Sequence, residues 1–120
     1  MYKRQEEVYN RPASTFVASF IGSPPMNLLQ HAPGTPEGRI LGIRPEHLQL
    51  TPGQGWSLQV ETVELLGAER LVHARLGQEA LTIRLDESVA APAPGQSFEA
   101  SPRPDKLHHF DQSTGLRVAA

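Results

Sequence analysis

Residues 56–85, WSLQVETVELLGAERLVHARLGQEALTIRL, decide the fold because their apolar and polar side chains alternate. Trp56, Leu58 and Val60 occupy every second position, which is the period of a half-buried β-strand. The alternation shifts by one position at Thr62, and a shift of that kind is typical of a β-bulge. The sequence therefore predicts a bent strand that begins at Trp56.

Two glycine-containing turns divide the rest of this stretch into two further strands. The turns are Gly67-Ala68-Glu69 and Gly77-Gln78-Glu79, and the strands cover residues 71–76 and 81–85. Because the connections are short, consecutive strands must run antiparallel. We therefore predict a three-stranded meander.

Shorter extended segments flank the meander on both sides. They cover residues 40–43, residues 48–50, the surroundings of Phe98 and residues 107–110. Proline separates the first two at Pro45, because proline cannot donate to a strand ladder. Residues 111–115 form a last turn before the end of the chain. Short strands at regular spacing predict a small all-β sandwich or barrel.

One amphipathic helix is predicted within residues 9–29, YNRPASTFVASFIGSPPMNLL. Pro12 fits the first helical position, where its missing N–H would have no intrahelical partner. One stripe of this helix carries the apolar residues Ala13, Phe16, Val17, Phe20 and Ile21. Two prolines, Pro24 and Pro25, end it. We expect Phe16 and Phe20 to anchor the helix to the β-structure, although the pattern alone also fits a plain surface helix. Residues 30–38 are predicted to form a loop.

Composition excludes several classes of protein. The 120 residues include no cysteine, which excludes disulfide frameworks, thiolate catalysis and cysteine-ligated zinc. A formal charge of −2 provides no field that would attract nucleic acid or anionic lipid. No apolar run reaches the roughly 18 residues of a membrane-spanning helix, and no signal peptide is recognisable. We expect neither a nucleic-acid partner nor direct insertion into a membrane.

Motifs that would indicate catalysis do not occur in the sequence. There is no phosphate loop of the form GxxxxGK[ST], no HExxH among the five histidines and no GxSxG around a serine. We therefore expect no catalytic residues, no cofactor and no metal, and we expect that the chain does not bind ATP.

Three motifs carry a resemblance to a known family. They are YNRPA with FVA at residues 9–18, FIGSPPMNLL at residues 20–29 and LGIRPEHL at residues 41–48. With these motifs the chain resembles, from about Glu6 onward, the C-terminal part of the ATP-binding subunit of ABC sugar importers of the maltose and glycerol-3-phosphate types. The segment at residues 107–115 is more similar to the second type.

The resemblance implies an OB-like β-barrel, the TOBE domain, that serves as a regulatory and dimer-contact module. Residues 1–38 would be a helical lead-in with a connecting loop, and residues 39–120 would be the TOBE domain. The nucleotide-binding domain of the family is absent from this sequence, so we expect no enzymatic activity. The motifs suggest candidate structural or interaction residues, which are Phe16, Phe20, Arg44, Glu46 and His47.

The family also implies partners and a location. We expect self-association, contact with importer membrane subunits through the parent ATPase, a cytoplasmic regulator, and a peripheral position at the inner face of the cell membrane. The family usually has a longer stretch, with further strands, between its Met-Asn-Leu-Leu and Gly-Ile-Arg-Pro-Glu-His motifs. This chain has only residues 30–41 in that interval. A barrel short of strands would expose edges that invite pairing.

Two alternatives remain open at the level of sequence. The first is a module that binds a small anion or sugar phosphate, with Arg44 or Arg84 as a bidentate fork. The second is an OB-fold nucleic-acid binder, which would need aromatic platforms beside a basic groove. The chain has four Phe, two Tyr and one Trp and a net negative charge, which disfavours the second alternative.

Overall fold

The computed structural model of the chain describes residues 8–22 and 24–119. Residues 8–10 are helical and belong to the segment expected to be a helical lead-in, whose residues 1–7 lie outside the described part. The regular elements are α1 (Thr15–Phe20), β1 (Asn27–Leu29), β2 (Arg39–Ile43), β3 (Leu48–Leu50), β4 (Trp56–Leu66), β5 (Glu69–Leu76), β6 (Glu79–Asp86), β7 (Ser97–Pro102) and β8 (His108–Asp111). Short 3-10 turns at Pro45–His47 and Pro104–Lys106 complete them. None of the helices in the described ranges is both long and apolar enough to cross a membrane.

The larger sheet contains the predicted meander. Its five strands lie in the order β3-β7-β4-β5-β6, and all of its pairs are antiparallel. The register between β4 and β5 shifts between Val60 and Thr62, so the predicted bulge is confirmed. Buried residues alternate with exposed ones along the first half of β4, as the sequence pattern requires.

The smaller sheet brings together two strands from the first half of the sequence and one strand near residue 110. Its three strands lie in the order β1-β2-β8, again antiparallel, with Leu29 opposite Leu41 and Ile40 opposite Phe110. Residues 30–38, which connect β1 to β2, contain neither helix nor strand, as predicted. The fold is therefore the expected all-β, OB-like one.

A side chain, and not a strand ladder, joins the two sheets beside β6. The amide nitrogen of Asn27 on β1 donates to the carbonyl oxygen of Thr82, and its amide oxygen accepts from the N–H of Thr82, both at 2.8 Å. Nearby, the backbone N–H groups of Gln30 and His31 donate to the carboxylate of Glu79. Over the described residues the two sheets share no strand. These side-chain hydrogen bonds therefore link the two sheets beside β6.

Most of the core lies between the two sheets. Its largest fully buried side chains are Leu29, Ile43, Leu58, Val72 and Ile83. A second, smaller cluster consists of Ala18 from α1, Met26 and Phe110. The helix therefore contacts the β-structure through an alanine.

The expectation that Phe16 and Phe20 anchor the helix is wrong. Their side chains are 70% and 69% exposed, whereas Ala18 is fully buried. Positions two residues apart in an α-helix differ by about 200° around its axis, so burial of Ala18 turns both phenylalanines outward.

The helix is also shorter than predicted, because it begins at Thr15 and not at Pro12. Ser14 caps it, since its hydroxyl oxygen accepts from the N–H of Val17 at 3.2 Å. Arg117 holds the preceding residues outside the helix, with its Nε donating to the carbonyl of Pro12 and its backbone N–H donating to the carbonyl of Ala13, both at 2.9 Å. The C-terminal segment thus competes for backbone groups that a longer helix would have used.

Candidate functional site

Arg44 directly follows β2 and caps the start of the 3-10 turn Pro45–His47. Pro45 suits the first position of that turn because it needs no intrahelical partner for its nitrogen. The turn directs Arg44 inward, where it is only 1% exposed. A buried arginine is unusual unless its charge and donors are matched, so its surroundings define the candidate site.

The guanidinium group of Arg44 binds two separate parts of the N-terminal segment. Its Nη2 donates to the carbonyl oxygen of Tyr9 at 2.9 Å, and its Nη1 donates to the carbonyl oxygen of Ile21. The guanidinium carbon lies 4.2 Å from the centre of the Tyr9 ring, in a cation–π contact. Burial lowers the pKa of Arg44, while Tyr9 and Glu46 act in the opposite direction. Arg44 therefore fastens both sides of α1 to β2.

Glu46 completes this contact from the next turn. The hydroxyl of Tyr9 donates to a carboxylate oxygen of Glu46 at 2.5 Å. Burial and this hydrogen bond raise the pKa of the Tyr9 phenol. For Glu46, burial acts to raise the pKa, but the hydrogen bonds from Tyr9 and from the backbone, with smaller charge effects, outweigh it and lower the pKa. The ionised carboxylate and the neutral phenol are thus the favoured pair.

A small cavity of about 90 Å³ lies beside Arg44. Its lining residues are Tyr9, Asn10, Arg44, His47, Asp105, Lys106 and His108. Burial, followed by the charges of Lys106 and Arg103, lowers the pKa of His47, although Glu46 opposes this. Burial, followed by the charge of Arg117, lowers the pKa of His108 to about 4. These surroundings therefore disfavour the protonated form of both imidazoles.

The contacts of Arg44 suit a structural role, in which it holds the N-terminal segment, better than a role in catalysis or ligand binding. Each terminal nitrogen of Arg44 donates to a backbone carbonyl, so the guanidinium considered as a fork for an anion is engaged by the chain itself. Its Nε and the Nδ1 of His47 are the buried atoms of this site without a hydrogen-bond partner in the described chain. Residues 8–22 and 24–119 contain no group of three or more metal-binding side chains. We call Tyr9, Arg44 and Glu46 the Arg44 latch.

The structure brings together three of the five residues predicted from sequence. Arg44 and His47 line the cavity, and Glu46, from the same motif, accepts a hydrogen bond from Tyr9. Phe16 and Phe20 lie instead on the exposed side of α1. Sequence reasoning missed the contributions of Tyr9, Asn27, His108 and Arg117. Tyr9 and Asn27 belong to the motifs of the N-terminal segment, and these motifs are the feature of the sequence that could have indicated them.

Comparison with known proteins agrees with this geometry. The sequence profile described as the TOBE domain matches residues 41–110, which run from β2 to β8. That range includes Arg44 and Glu46 of the latch, together with both sheets except β1. The chain therefore belongs to the TOBE domain family.

Several curated relatives share more than this domain with the chain. It is similar to the sn-glycerol-3-phosphate import ATP-binding proteins UgpC of Yersinia pseudotuberculosis (41% identity), Bordetella avium (38%) and Burkholderia pseudomallei (37%). Each match covers 93% of this chain but only 38–39% of the relative, so the chain spans about two fifths of their length. The match to the Yersinia protein is 139 residues long against a chain of 120, so the relative has additional residues within the matched segment.

Proposed function

We propose that this chain acts as the C-terminal regulatory and dimer-contact domain of the ATP-binding subunit of an importer for glycerol-3-phosphate or a related carbohydrate. The observation that carries the proposal is 41% identity over 93% of the chain to an import ATP-binding protein. The match includes the N-terminal segment as well as the TOBE domain, so it also covers the region that the Arg44 latch fixes.

In this role the domain does not perform catalysis itself. ATP hydrolysis would belong to the part of the relatives that the chain does not span, because this sequence lacks a phosphate loop to hold a triphosphate. The latch supports a mechanical role. It binds the carbonyl groups of Tyr9 and Ile21 on both sides of α1, and thereby sets the direction in which an attached domain would leave the β-structure.

The proposed partners follow from the same role. The subunit would contact importer membrane subunits through its ATP-binding part, associate with a second copy, and respond to a cytoplasmic regulator. Its position would be peripheral, at the inner face of the cell membrane.

A chimeric subunit tests the proposal. The chain replaces the matched segment of the Yersinia pseudotuberculosis UgpC protein, and ATP-dependent uptake of sn-glycerol-3-phosphate is measured in cells that lack the native subunit. We expect uptake to be restored, whereas a UgpC protein without any C-terminal segment serves as the negative control. A chimera that binds ATP but supports no more uptake than this control would contradict the proposed function.

The isolated chain provides a second test, of its non-catalytic character. Titration with Mg-ATP in a calorimeter should give no saturable heat, while the chimera gives a normal binding curve. A dissociation constant in the micromolar range for the isolated chain would show that it contains a nucleotide site of its own.

A further inference from the structure

Helix α1 combines exposed aromatic side chains with a complete lack of charge. Its sequence, TFVASF, contains no acidic or basic residue. Phe16 and Phe20 are about 70% exposed, and their ring centres lie 4.8 Å apart in a tilted pair. Solvent-facing helix surfaces normally carry charged residues, whereas paired aromatic side chains are typical of the centres of interfaces. We call these two side chains the phenylalanine face.

The phenylalanine face is held rigidly in its exposed orientation. Ser14 caps the start of α1, and Ala18 packs against Met26 and Phe110 beneath it. At its end, Arg44 binds the carbonyl of Ile21. The helix cannot rotate its phenylalanines inward without breaking these contacts. A surface fixed in this way loses little conformational entropy when a partner covers it.

The area of the face indicates what kind of partner covers it. A buried aromatic side chain contributes about 150–250 Å², and Phe16 and Phe20 are about 70% exposed. The face therefore offers about a third of the roughly 800 Å² that each partner contributes to a stable interface between separate chains. A contact of this size suffices between covalently linked domains, because the linkage supplies a high effective concentration. Its size therefore favours a domain of the same polypeptide over a second copy.

The comparisons identify which domain could be attached. The relatives are named import ATP-binding proteins, and about three fifths of their length lies outside the match. Helix α1 precedes the TOBE match at residues 41–110, on the side where the C-terminal resemblance places the ATP-binding part. We propose that the phenylalanine face docks onto the ATP-binding domain of the same subunit, an inference that rests on the proposed function.

The first measurement establishes that the relevant variant folds. The double variant F16S/F20S of the isolated chain should have the urea midpoint of the wild type, because both side chains are exposed. The conservative variant F16L/F20L keeps an apolar face. The variant V89S changes an exposed residue outside α1, since Val89 is 36% exposed, and serves as the remote control.

The second measurement compares the same variants in the chimera with the Yersinia pseudotuberculosis ATP-binding domain. The readout is the rate at which a protease cleaves between the two domains. We expect F16S/F20S to accelerate cleavage about tenfold, because a docked joint must open before the protease can act. F16L/F20L should retain most of the protection, and V89S should match the unsubstituted chimera.

Each other outcome has a distinct meaning. An unchanged cleavage rate in an F16S/F20S chimera that still imports substrate would overturn the docking inference and leave the proposed function intact. If even the unsubstituted chimera fails to support uptake, the proposed function is contradicted. A concentration-dependent dimer of the isolated chain that F16S/F20S abolishes would assign the face to a second copy and overturn the inference.

Discussion

Arg44 carries the one buried charge among the described residues, and its two hydrogen bonds replace the hydration that burial removes. In the variant Arg44→Met the carbonyl groups of Tyr9 and Ile21 lose their charged donor, and Glu46 loses a nearby cation. We expect the free energy of unfolding to fall by about 2–4 kcal/mol, measured by urea denaturation.

A matched control is available on the surface. Arg103 forms a partly exposed ion pair with Asp105 at 3.4 Å, so Arg103→Met should change the free energy of unfolding by less than about 0.5 kcal/mol. Equal stability of the two variants would mean that the Arg44 latch does not hold the N-terminal segment.

His108 makes stability depend on pH. Its Nδ1 lies 2.9 Å from an Nη of Arg117, and because arginine can only donate, Nδ1 must be the acceptor. Protonation would destroy this contact and place two cations side by side. Burial and Arg117 accordingly lower the pKa of His108 to about 4. Since the folded pKa lies below the unfolded value of about 6.5, this contribution is complete above pH 6.5 and is lost as pH falls toward 4.

The corresponding experiment is a series of urea denaturations between pH 7 and pH 4. We expect His108→Gln to have a smaller loss of stability over this window than the wild type, because a glutamine carbonyl can accept from Arg117 without titrating. His31→Gln removes an exposed histidine and controls for the substitution itself. Identical pH profiles for His108→Gln and the wild type would refute the assignment.

Helix α1 shows where sequence patterns stop being sufficient. The apolar stripe identified a helix correctly, but it assigned the wrong face to the core. The reason is tertiary, because Arg117 occupies the backbone carbonyls of Pro12 and Ala13, and the small side chain of Ala18 allows close approach to Phe110. Both causes come from the far end of the sequence, which periodicity near residue 16 cannot reveal.

The strands were more predictable because their information is local. Each of these local features depends on residues that are close together in the sequence. They are the alternation in β4, the bulge after Val60 and the turns at Gly67 and Gly77. The positive φ angles of both glycines, 61° and 64°, are the conformations that such turns require. Pairing of β2 with β8 and the contact between Asn27 and Thr82 join distant segments, so local patterns could not supply them.

Asn27 acts on β6 in the way that a neighbouring strand would. It satisfies both the N–H and the C=O of Thr82, and it is 8% exposed. Replacement by alanine leaves two backbone groups without a partner at the junction of the sheets. We expect Asn27→Ala to lower the free energy of unfolding by about 2 kcal/mol, measured in urea. Asn10→Ala, at an exposed position, should have little effect, and equal values for the two would argue against the junction.

At the scale of the whole molecule, the second half of β4 is left without a strand partner on one side. Strand β4 pairs with β7 only over residues 56–59, and the backbone bonds of Val60 extend that side by one residue. Beyond the bulge at Glu61, residues 62–66 pair with β5 on the other side alone in the described structure. The relatives have additional residues within the matched segment, and the family resemblance predicted missing strands from the short connection at residues 30–41. The resemblance thus predicted an exposed edge, but the sequence did not say which strand would carry it.

The free edge of β4 leads to the prediction that the isolated chain forms a two-fold dimer. An unpaired edge invites pairing with a second copy, and a two-fold axis lets identical edges satisfy each other. Leu65 and Leu66, which are 73% and 49% exposed, would be covered in that dimer. Of the acidic residues of this edge, Glu61 forms an ion pair with Arg75, and Glu64 is in hydrogen-bond contact with His73 on β5.

Light scattering over a range of protein concentrations measures the association. We expect the mass to rise to that of two chains, and we expect L65K/L66K to remain at one chain, because lysine on an edge strand blocks pairing. The variant F16S/F20S is the control, since its substitutions lie on α1 and should leave this dimer intact. Residues 61–66 contain no proline that would block such pairing. A wild-type mass that stays at one chain up to the highest soluble concentration would show that the β4 edge needs no partner.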